Sequence, residues 1–432
     1  MLEDPARFLR HLFDTALGAV DAARCVPPNL PPPPSGRTIV IGAGKAAAAM
    51  AQAVETHYAA PVTGVVVVPY GHGVACEHIR VIEAAHPVPD QAAEEAARLM
   101  LDTVAGLSTD DLVIALMSGG GSAVLALPVP GVMLSDKQAI TRTLLASGTA
   151  ISEINAVRRA LSAIKGGRLA DAARPARVYT LAISDIPGDD ASLIASGPTI
   201  LPPAGAPAAI DIVEKYRIDL PGNVREALKT PLPPPDAGLF AADEVRIAAR
   251  AADALDAAAE AARAAGCAAM ILGDAIEGEA RDVAADHARR ALEAARFRKP
   301  GNPPVVLLSG GETTVTHGGQ SGGQSSGKGG RNTEYLLALG LALNRDPRIW
   351  ALAADTDGID GNSGGAGALL TPWSIAGASD LGLDPTGMLA AHRSADLFDA
   401  LFHKIVTGPT HTNVNDFRAI LIGAGDPSRV DL

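Results

Sequence analysis

The chain repeats one pattern seven times, an apolar strand-like stretch that runs directly into glycine and small polar residues. A continuous apolar run is typical of a strand buried on both faces, as in a parallel sheet covered by helices. In such sheets ligands bind beyond the carboxyl ends of the strands, where glycine lets backbone N–H groups approach a ligand closely. The pattern therefore predicts both the fold class and the place of the chemistry. The seven stretches are Ile39–Lys45, Leu112–Ser122, Tyr179–Asp190, Val305–Thr313, Trp350–Gly361, Lys404–Asn413 and Ala419–Asp426.

Length and charge narrow the class of protein. At 432 residues the chain is long enough for two or three domains. Its formal net charge of −12 disfavours nucleic acid and anionic membranes as partners, so an anionic substrate needs a locally basic site. Its three cysteines lie far apart, which argues against disulfides and indicates a cytoplasmic protein. The N-terminus predicts an amphipathic helix rather than a signal peptide, and no apolar run approaches the ~20 residues of a membrane span.

Two proline-rich segments, Pro27–Gly36 and Thr230–Gly238, interrupt the chain and are predicted linkers, because proline clusters continue neither helix nor sheet. Taking the second as the boundary, we expect an N-terminal domain of residues 1–235 and a C-terminal domain of residues 236–432. Strands and helices alternate in both, which predicts an α/β fold with mostly parallel sheets covered by helices. The predicted helices include Ala46–His57, Gln91–Leu107, Ser135–Ser147, Ser152–Ala173, Ala249–Ala265, Ala280–Arg296 and Asn332–Leu343.

The segment IVIGAGKAAAAM fits a strand, a G-x-G-x-x-A turn and a helix, which is close to a dinucleotide-binding fingerprint. A NAD site also has an acidic residue about 20 residues further on, at the end of the next strand. Here that strand ends in Pro69–His72, so the acid is missing and the fingerprint is weak support for NAD. Lys45 lies in the first helical turn, where a cation is unfavourable unless an anion binds there. A solvated surface lysine is an equal alternative.

Further glycine-rich segments indicate anion binding. SGGGS and SGGET both follow apolar runs, and their consecutive glycines suit a nest of N–H groups, the alternative being a tight structural turn. GGQSSGKGG nearly matches a P-loop but has Gly329 where that motif requires Ser or Thr, so it predicts a phosphate-holding helix start or a flexible surface loop. The candidate nucleotide- and phosphate-binding residues are Gly42, Gly44, Ser118, Gly119, Gly120, Gly121, Ser122, Lys328 and Asn332.

Two clusters of aspartates, in SDIPGDD and ADTDGIDG, also follow predicted strands. Clustered carboxylates suit Mg²⁺, which keeps waters and phosphate oxygens in its shell. Helix caps and Asx-turns are the alternative for any single aspartate. The candidate metal ligands are Asp185, Asp189, Asp355 and Asp357.

The segment Glu153–Ala170 predicts one continuous helix with a basic face. Asn155, Arg158 and Ser162 are spaced to lie on one side of it. A basic face in an acidic protein suits a carboxylate or phosphate, and surface ion pairing remains the alternative, best for Arg159. The candidate substrate-binding residues are Asn155, Arg158, Lys165, Arg168 and Glu312.

Taken in order, these motifs resemble those of the class II glycerate kinases. VIGAGKAAAAM, LMSGGGSAVLALP, EINAVRRALSAIKGGRLA and SDIPGDDASLIASGPT follow that family's N-terminal pattern, and LLSGGETTVT, GKGGRNTE, AADTDGIDG and IVTGPTHTNVND follow its MOFRL domain, at about 305–425. The resemblance spans nearly the whole chain. Two positions depart from it: Ala160 stands where many relatives have His, and Thr333 where they have Gln.

The resemblance implies phosphoryl transfer from ATP, with Mg²⁺, to D-glycerate, typically at the 2-hydroxyl, in a cleft between two α/β domains. It also implies that Lys45 and Arg331 are functional. Because phosphoryl transfer depends on alignment and charge neutralisation, we expect these two cations to neutralise the transferring group. The further expectations are Asp185 and Asp189 for Mg²⁺, Asp189 or Asp357 as the base, and Arg158, Lys165 or Arg168 for the glycerate carboxylate.

Two other functions stay open at this point. One is an NAD(P)H-dependent hydroxypyruvate reductase, a label that some relatives carry, against which the missing ribose acid argues. The other is a non-catalytic sugar-acid-binding protein, for which so many polar loops are excessive. The sequence leaves open the hydroxyl that is phosphorylated, the true acceptor and any homo-oligomer.

Overall fold

The structure, a computed structural model, describes residues 3–147, 151–203, 205, 208–299, 301–316 and 327–423. Most of the glycine-rich segment before Gly327 and the end of the seventh stretch, from residue 424, lie outside these residues. The helices are α1 Pro5–Ala19, α2 Ala22–Cys25, α3 Ala47–His57, α4 Gln91–Val104, α5 Gly121–Val124, α6 Leu134–Ala146, α7 Ile151–Ala160, α8 Arg168–Ala172, α9 Ala209–Lys215, α10 Gly222–Lys229, α11 Ala251–Ala264, α12 Ala280–Phe297, α13 Arg331–Ala342, α14 Ser374–Asp380, α15 Pro385–Ala390 and α16 Ser394–Ala400. The strands are β1 Thr38–Ala43, β2 Val62–Pro69, β3 Ile79–Ala84, β4 Leu112–Met117, β5 Arg177–Ile183, β6 Glu244–Ala249, β7 Ala268–Gly273, β8 Gly278–Glu279, β9 Val305–Ser309, β10 Thr313–Thr314, β11 Ile349–Asp355, β12 Gly367–Leu370, β13 Lys404–Ile405 and β14 Asp416–Ile422.

One compact unit, here called the parallel-sheet unit, comprises Asp21–Ala249 and His411–Asn413. Its sheet has the order β3-β2-β1-β4-β5-β6, and all neighbouring strands are parallel. Every residue of β1 and β4 is buried, which explains why both strands are apolar along their whole length. Apart from the sheet, helices α6, α7, α9 and α10 contribute most of the residues of a separate apolar cluster in this unit.

The other compact unit, here called the mixed-sheet unit, comprises Met1–Val20, Arg250–Thr410 and Val414–Leu432. Its sheet has the order β13-β12-β11-β14-β9-β7, in which only β7 and β9 pair in parallel. The α/β class is therefore confirmed, but the expectation of a mostly parallel sheet is wrong for this unit. Burial on both faces produces the apolar runs of β9, β11 and β14, and burial does not reveal strand direction.

The domain limits 1–235 and 236–432 stay a prediction, and the compact units of the structure differ from them. Helix α1 belongs to the mixed-sheet unit, because its apolar face is buried there and the rings of Phe13 and Phe417 lie 5.6 Å apart. Strand β6 lies beyond the expected limit and completes the parallel sheet beside β5.

The predicted continuous helix across Ser152–Ala173 is wrong. Helix α7 ends at Ala160 and α8 begins at Arg168. Between them Gly166 and Gly167 have φ values of 64° and 85°, a left-handed conformation that ends a helix. The Ser162 hydroxyl accepts hydrogen bonds from the N–H groups of Ile164 and Lys165 in this break. Asn155 and Arg158 therefore lie on α7, whereas Lys165 lies in a loop.

Among the described residues, no helix is both long and apolar enough to cross a membrane.

Candidate active site

The strand order of the parallel sheet reverses between β1 and β4, where ligands bind in doubly wound α/β sheets. Two glycine turns interlock there. The N–H of Lys45 donates to the carbonyl of Gly119 at 2.8 Å, and the Ser118 hydroxyl accepts from the N–H of Ala46 at 3.0 Å. A Cβ on Gly44, whose φ is 124°, would lie 2.4 Å from the Ser118 carbonyl oxygen, so only glycine fits. The structure thus brings together the predicted GAGK and SGGGS segments.

The side chain of Lys45 lies beside the second glycine turn. Gly120 has a φ of 79°, and a Cβ placed on it would lie 3.3 Å from Lys45 Cγ and 3.3 Å from His86 Cδ2. Lys45 is half-buried, and His86 is exposed. A lysine and a histidine therefore flank this glycine turn, and consecutive glycines of this kind suit a nest of N–H groups.

Asp185 lies against the same turn. A Cβ on Gly119 would lie 1.9 Å from Asp185 Oδ2 and 2.2 Å from Asn413 Nδ2, and Asn413 Nδ2 donates to Asp185 Oδ2 at 3.0 Å. Asn413 lies in the short segment His411–Asn413, which belongs to the parallel-sheet unit. It lies within the sixth predicted stretch, but nothing in the sequence pointed to Asp185 as its partner.

Asp189 follows four residues later, in a turn where its φ is 56° and its N–H donates to the Ile186 carbonyl at 3.0 Å. A positive φ is uncommon outside glycine, and aspartate tolerates it better than most residues. Within the part of the chain that the structure describes, no group of three or more His, Cys, Asp or Glu side chains is arranged to hold a metal ion. Mg²⁺ commonly uses only one or two carboxylates together with water and substrate phosphates, so a pair such as Asp185 and Asp189 suits that mode of binding.

A hydroxyl relay extends from the glycine turn to α7. Ser122 Oγ lies 2.6 Å from Ser196 Oγ, which donates to Asn155 Oδ1 at 2.8 Å. Ala195 and Ser196 have φ values of 53° and 62°, conformations that non-glycine residues adopt at a cost and that concentrate at functional sites. The sequence prediction included Ser122 and Asn155 but missed Ser196, for which only its place in the family motif gave a signal.

Behind this relay lie buried cations. Lys165 is fully buried, and its ammonium group donates to the Ala195 carbonyl at 2.9 Å. Burial, followed by the charges of Lys137, Arg158 and Arg159, moves the pKa of Lys165 well below its usual value. For Arg159 the sequence left surface ion pairing open as an alternative, but the side chain is buried.

Arg168 has a different environment. Its guanidinium donates to the backbone carbonyls of Lys165 at 3.0 Å and Leu232 at 3.3 Å. These bonds stabilise the loop before α8, which is a structural role for Arg168. Its role in substrate binding stays a prediction.

In the mixed-sheet unit, Arg331 opens α13 at the centre of three carboxylates. Its Nε lies 2.8 Å from Asp416, its Nη1 2.5 Å from Glu312 and its Nη2 2.6 Å from Asp355. Although burial opposes the charge, Asp416, Asp355 and Glu312 raise the pKa of Arg331 well above its usual value. The structure therefore joins three sequence-predicted residues in one ion-pair network, which the fully buried side chain of Asp416 completes.

The neighbouring predicted residues have structural contacts. Asn332 Nδ2 donates to Asp416 at 2.7 Å, and Asp360 accepts the N–H groups of Asn332 and Thr333 at the start of α13. Asp357 accepts the N–H of Ile359 at 2.8 Å, which is the Asx-turn alternative that the sequence left open. The ammonium nitrogen Nζ of Lys328 lies 3.6 Å from Oδ2 of Asp399.

Comparison with known proteins gives the family. Residues 8–229 match the family model described as Domain of unknown function (DUF4147), and residues 305–416 match the MOFRL family. A Glycerate 2-kinase of Pyrococcus horikoshii is 36% identical over 394 residues, covering 88% of this chain and 86% of that protein. The chain belongs to the class II glycerate kinase family.

Two other similarities complete the comparison. The crystal structure of a Glycerate kinase from Thermotoga maritima matches with a TM-score of 0.84 at 33% identity, covering 96% of this chain and 99% of that one. A protein of Agrobacterium vitis, provisionally named a hydroxypyruvate reductase, is 50% identical over 416 residues, covering 96% of this chain and 94% of that protein. The family and fold predictions are thus confirmed, while the relatives carry two different activity names.

Proposed function

We propose that this protein is a glycerate kinase that transfers a phosphoryl group from ATP to the 2-hydroxyl of D-glycerate, giving 2-phosphoglycerate and ADP. The observation that carries the proposal is the edge of the parallel sheet at β1 and β4. There Lys45, the glycine turn Ser118–Ser122 and the Asp185 carboxylate adjoin one another. The kinase names of the Pyrococcus and Thermotoga relatives support the same reaction.

Phosphoryl transfer requires little covalent chemistry from a protein, and depends on positioning and on neutralising the charge of the transferring oxygens. In our proposal the N–H groups of Gly119 and Gly120 hold phosphate oxygens, and the Lys45 ammonium group neutralises the transferring phosphoryl. The N–H of Gly121 donates to the Ser118 carbonyl at 3.3 Å and so shapes the turn. Gly42 and Gly44 keep the backbone of β1 close to this turn. A cation at this position is favourable only with an anion beside it, which a nucleotide supplies.

Asp185 and Asp189 are the residues proposed to hold Mg²⁺, which would supply positive charge to the phosphate oxygens of the nucleotide. Asp189 is also the first choice to accept the proton of the 2-hydroxyl, with Asp357 as the alternative. On the acceptor side, Arg158 and Lys165 are proposed to pair with the carboxylate of glycerate, and Asn155 to orient its hydroxyls.

The proposed role of Arg331 is to add a second positive charge to the transferring group. Its three carboxylate partners fix its guanidinium plane and keep it charged at every physiological pH. Asp355 and Glu312 serve, in this proposal, to orient Arg331.

A coupled ADP-release assay with ATP, Mg²⁺ and a panel of sugar acids tests the proposal. We expect D-glycerate to be the preferred acceptor, and Lys45→Met to lower turnover by about 10²- to 10³-fold through loss of transition-state charge stabilisation. The matched control is Lys229→Met, at an exposed position in the last turn of α10, which we expect to leave turnover unchanged. Near-normal turnover of a folded Lys45→Met protein would remove Lys45 from the mechanism.

The name of the Agrobacterium relative favours one second function, NAD(P)H-dependent reduction of hydroxypyruvate. A ribose-binding acid is missing at the end of β2, where the chain continues as Pro69–His72. Glu83 lies nearby, but its carboxylate already accepts hydrogen bonds from the N–H groups of Gly71 and Gly73, at 3.0 and 3.1 Å. Steady loss of NADH absorbance with hydroxypyruvate and pure protein would replace the kinase proposal by this one.

A further inference from the structure

Four cationic side chains lie close together on the helical side of the parallel-sheet unit. They are Lys137 on α6, Arg158 and Arg159 on α7, and Lys165 in the loop that follows, and they are called the cation cluster below. Lys137, Arg159 and Lys165 are buried, and Arg158 is half-buried. Lys137 played no part in the predictions from sequence, because a single lysine on a polar helix is normally a surface residue.

The charges of the cation cluster are not balanced by the protein around them. None of its four members forms an ion pair with a carboxylate of the described residues. The ammonium group of Lys137 donates to the Leu161 carbonyl at 3.2 Å, and that of Lys165 donates to the Ala195 carbonyl. Nη1 of Arg159 is buried and lacks a hydrogen-bond partner among the described residues.

The carboxylates on neighbouring elements have other partners. Glu153 of α7 pairs with Lys215 of α9 at 2.7 Å. Asp136 of α6 accepts from the N–H of Met133 at 3.0 Å and from Asn223 Nδ2 at 2.8 Å. Burial lowers the pKa of Arg159, and the charge of Asp190 opposes this lowering without a hydrogen bond or ion pair between them. Besides burial, the charges that lower the pKa values of Lys137 and Lys165 come from other members of the cluster.

Burial of several like charges without counter-charges is strongly unfavourable unless the groups lose their protons or an anion joins them. Burial, and then the charge of Arg158, lowers the pKa of Lys137 to about 7. Arginine does not lose its proton, so Arg158 and Arg159 remain charged, and neither forms an ion pair with a carboxylate of the described residues. A bound oxyanion would provide the missing charge and a partner for the free Arg159 nitrogen.

We propose that the cation cluster is a carboxylate-binding subsite, and that Lys137 is the residue that binds the acidic group of the substrate from the side of α6. The relay from Ser122 through Ser196 to Asn155, and the contact of Lys165 with Ala195, connect the cluster to the glycine turn. A small hydroxy acid can therefore hold its carboxylate at the cluster and its hydroxyl toward the turn. The assignment of the acceptor to this site rests on the proposed function, whereas anion binding by the cluster does not.

Calorimetry with D-glycerate in the absence of nucleotide tests the subsite directly. We compare the wild type, Lys137→Met and the exposed control Lys229→Met, with glycerol as the analogue that lacks the carboxylate. Methionine fills a similar volume and removes a buried charge, so the variant is expected to fold. The wild type and the control should bind glycerate but not glycerol, and Lys137→Met should bind glycerate about 10- to 100-fold more weakly, the loss of one charge-assisted hydrogen bond.

The number of protons taken up on binding distinguishes a ligand-binding lysine from a purely structural one, whose removal would leave that number unchanged. Near pH 8 Lys137 is mostly neutral, and a bound carboxylate favours its charged form, so binding should take up protons. Measured in two buffers of different ionisation enthalpy, this uptake should be present in the wild type and reduced in Lys137→Met. In steady-state kinetics the variant should raise KM for glycerate with KM for ATP unchanged.

The outcomes separate the two proposals. Equal glycerate affinity and equal proton uptake in a folded Lys137→Met protein would overturn the subsite. Carboxylate binding that depends on Lys137, together with no ADP formation, would support the subsite and overturn the proposed kinase reaction.

Discussion

Gly119→Ala tests the geometry of the site with a single added carbon. The new Cβ would lie 1.9 Å from Asp185 Oδ2, whereas ordinary van der Waals contact begins at 3.4 Å, so the carboxylate must move by about 3.4 − 1.9 = 1.5 Å. The Asn413 amide, 2.2 Å from the same Cβ, must also move, and the 3.0 Å bond between the two side chains breaks. Gly119 does not have a positive φ, so alanine itself strains no backbone.

The two consequences differ in size. Because the obstructing atoms end short side chains, we expect the free energy of unfolding to fall by only about 1–3 kcal/mol. A carboxylate displaced by more than ~1 Å from a reacting phosphate is expected to lower turnover by about 10²-fold. Urea unfolding measures the first effect, and the coupled ADP-release assay with D-glycerate measures the second.

The matched control is Gly222→Ala, in the first turn of α10. A Cβ on Gly222 meets nothing within 4 Å, and this glycine likewise lacks a positive φ. We expect its stability to stay within ~0.5 kcal/mol of the wild type and its turnover to be unchanged. A folded Gly119→Ala protein with turnover within about threefold of the wild type would refute the placement of Asp185 in the site.

Three further predictions concern charge and hydrogen bonding. Arg331→Ala removes the guanidinium from Asp355 and one of two cations from Asp416, whose ion pair with Arg418 remains. It should cost about 1–3 kcal/mol in denaturant unfolding, against about 0–1 kcal/mol for Arg10→Ala at an exposed pair; equal costs would contradict the network. Folding lowers the pKa of Lys137 from 10.5 to about 7, so between these pH values the unfolded chain binds more protons than the folded protein. The free energy of unfolding should therefore rise from pH 7 to 10, and it should rise less steeply in Lys137→Met; equal slopes in the two proteins would contradict this. Ser196→Ala removes the donor to Asn155 and should cost about 1–3 kcal/mol; thermal unfolding identical to the wild type would show that the relay contributes nothing.

The parallel sheet and its binding edge could be predicted from sequence because each rests on local patterns. The buried strands β1 and β4 are short apolar runs, and the turns that follow them, around Gly44 and Gly120, contain the glycines that their positive φ values require. The same local information predicted Lys45 beside the turn. It gave no strand direction in the mixed sheet, since an antiparallel strand buried on both faces, such as β14, has the same composition.

The remainder of the site depends on residues that are distant in sequence. Asn413 reaches Asp185 across 228 positions, and Asp416 reaches Arg331 across 85, so no local pattern shows either pair. The burial of Lys137 follows from the packing of α6 on α7, which a single polar helix does not reveal. The break after Ala160 did have a local signal, the adjacent glycines Gly166 and Gly167, but the good helix formers around them obscured it.

Phosphorus NMR of the reaction mixture tests the central claim most directly. Pure protein with ATP, Mg²⁺ and D-glycerate should produce a phosphomonoester resonance whose coupling to a single methine proton identifies 2-phosphoglycerate, and Lys45→Met should slow its appearance by about 10²- to 10³-fold. A resonance coupled to methylene protons would move the phosphoryl group to the 3-hydroxyl. Absence of any phosphoester, with glycerate bound and ATP intact, would contradict the account.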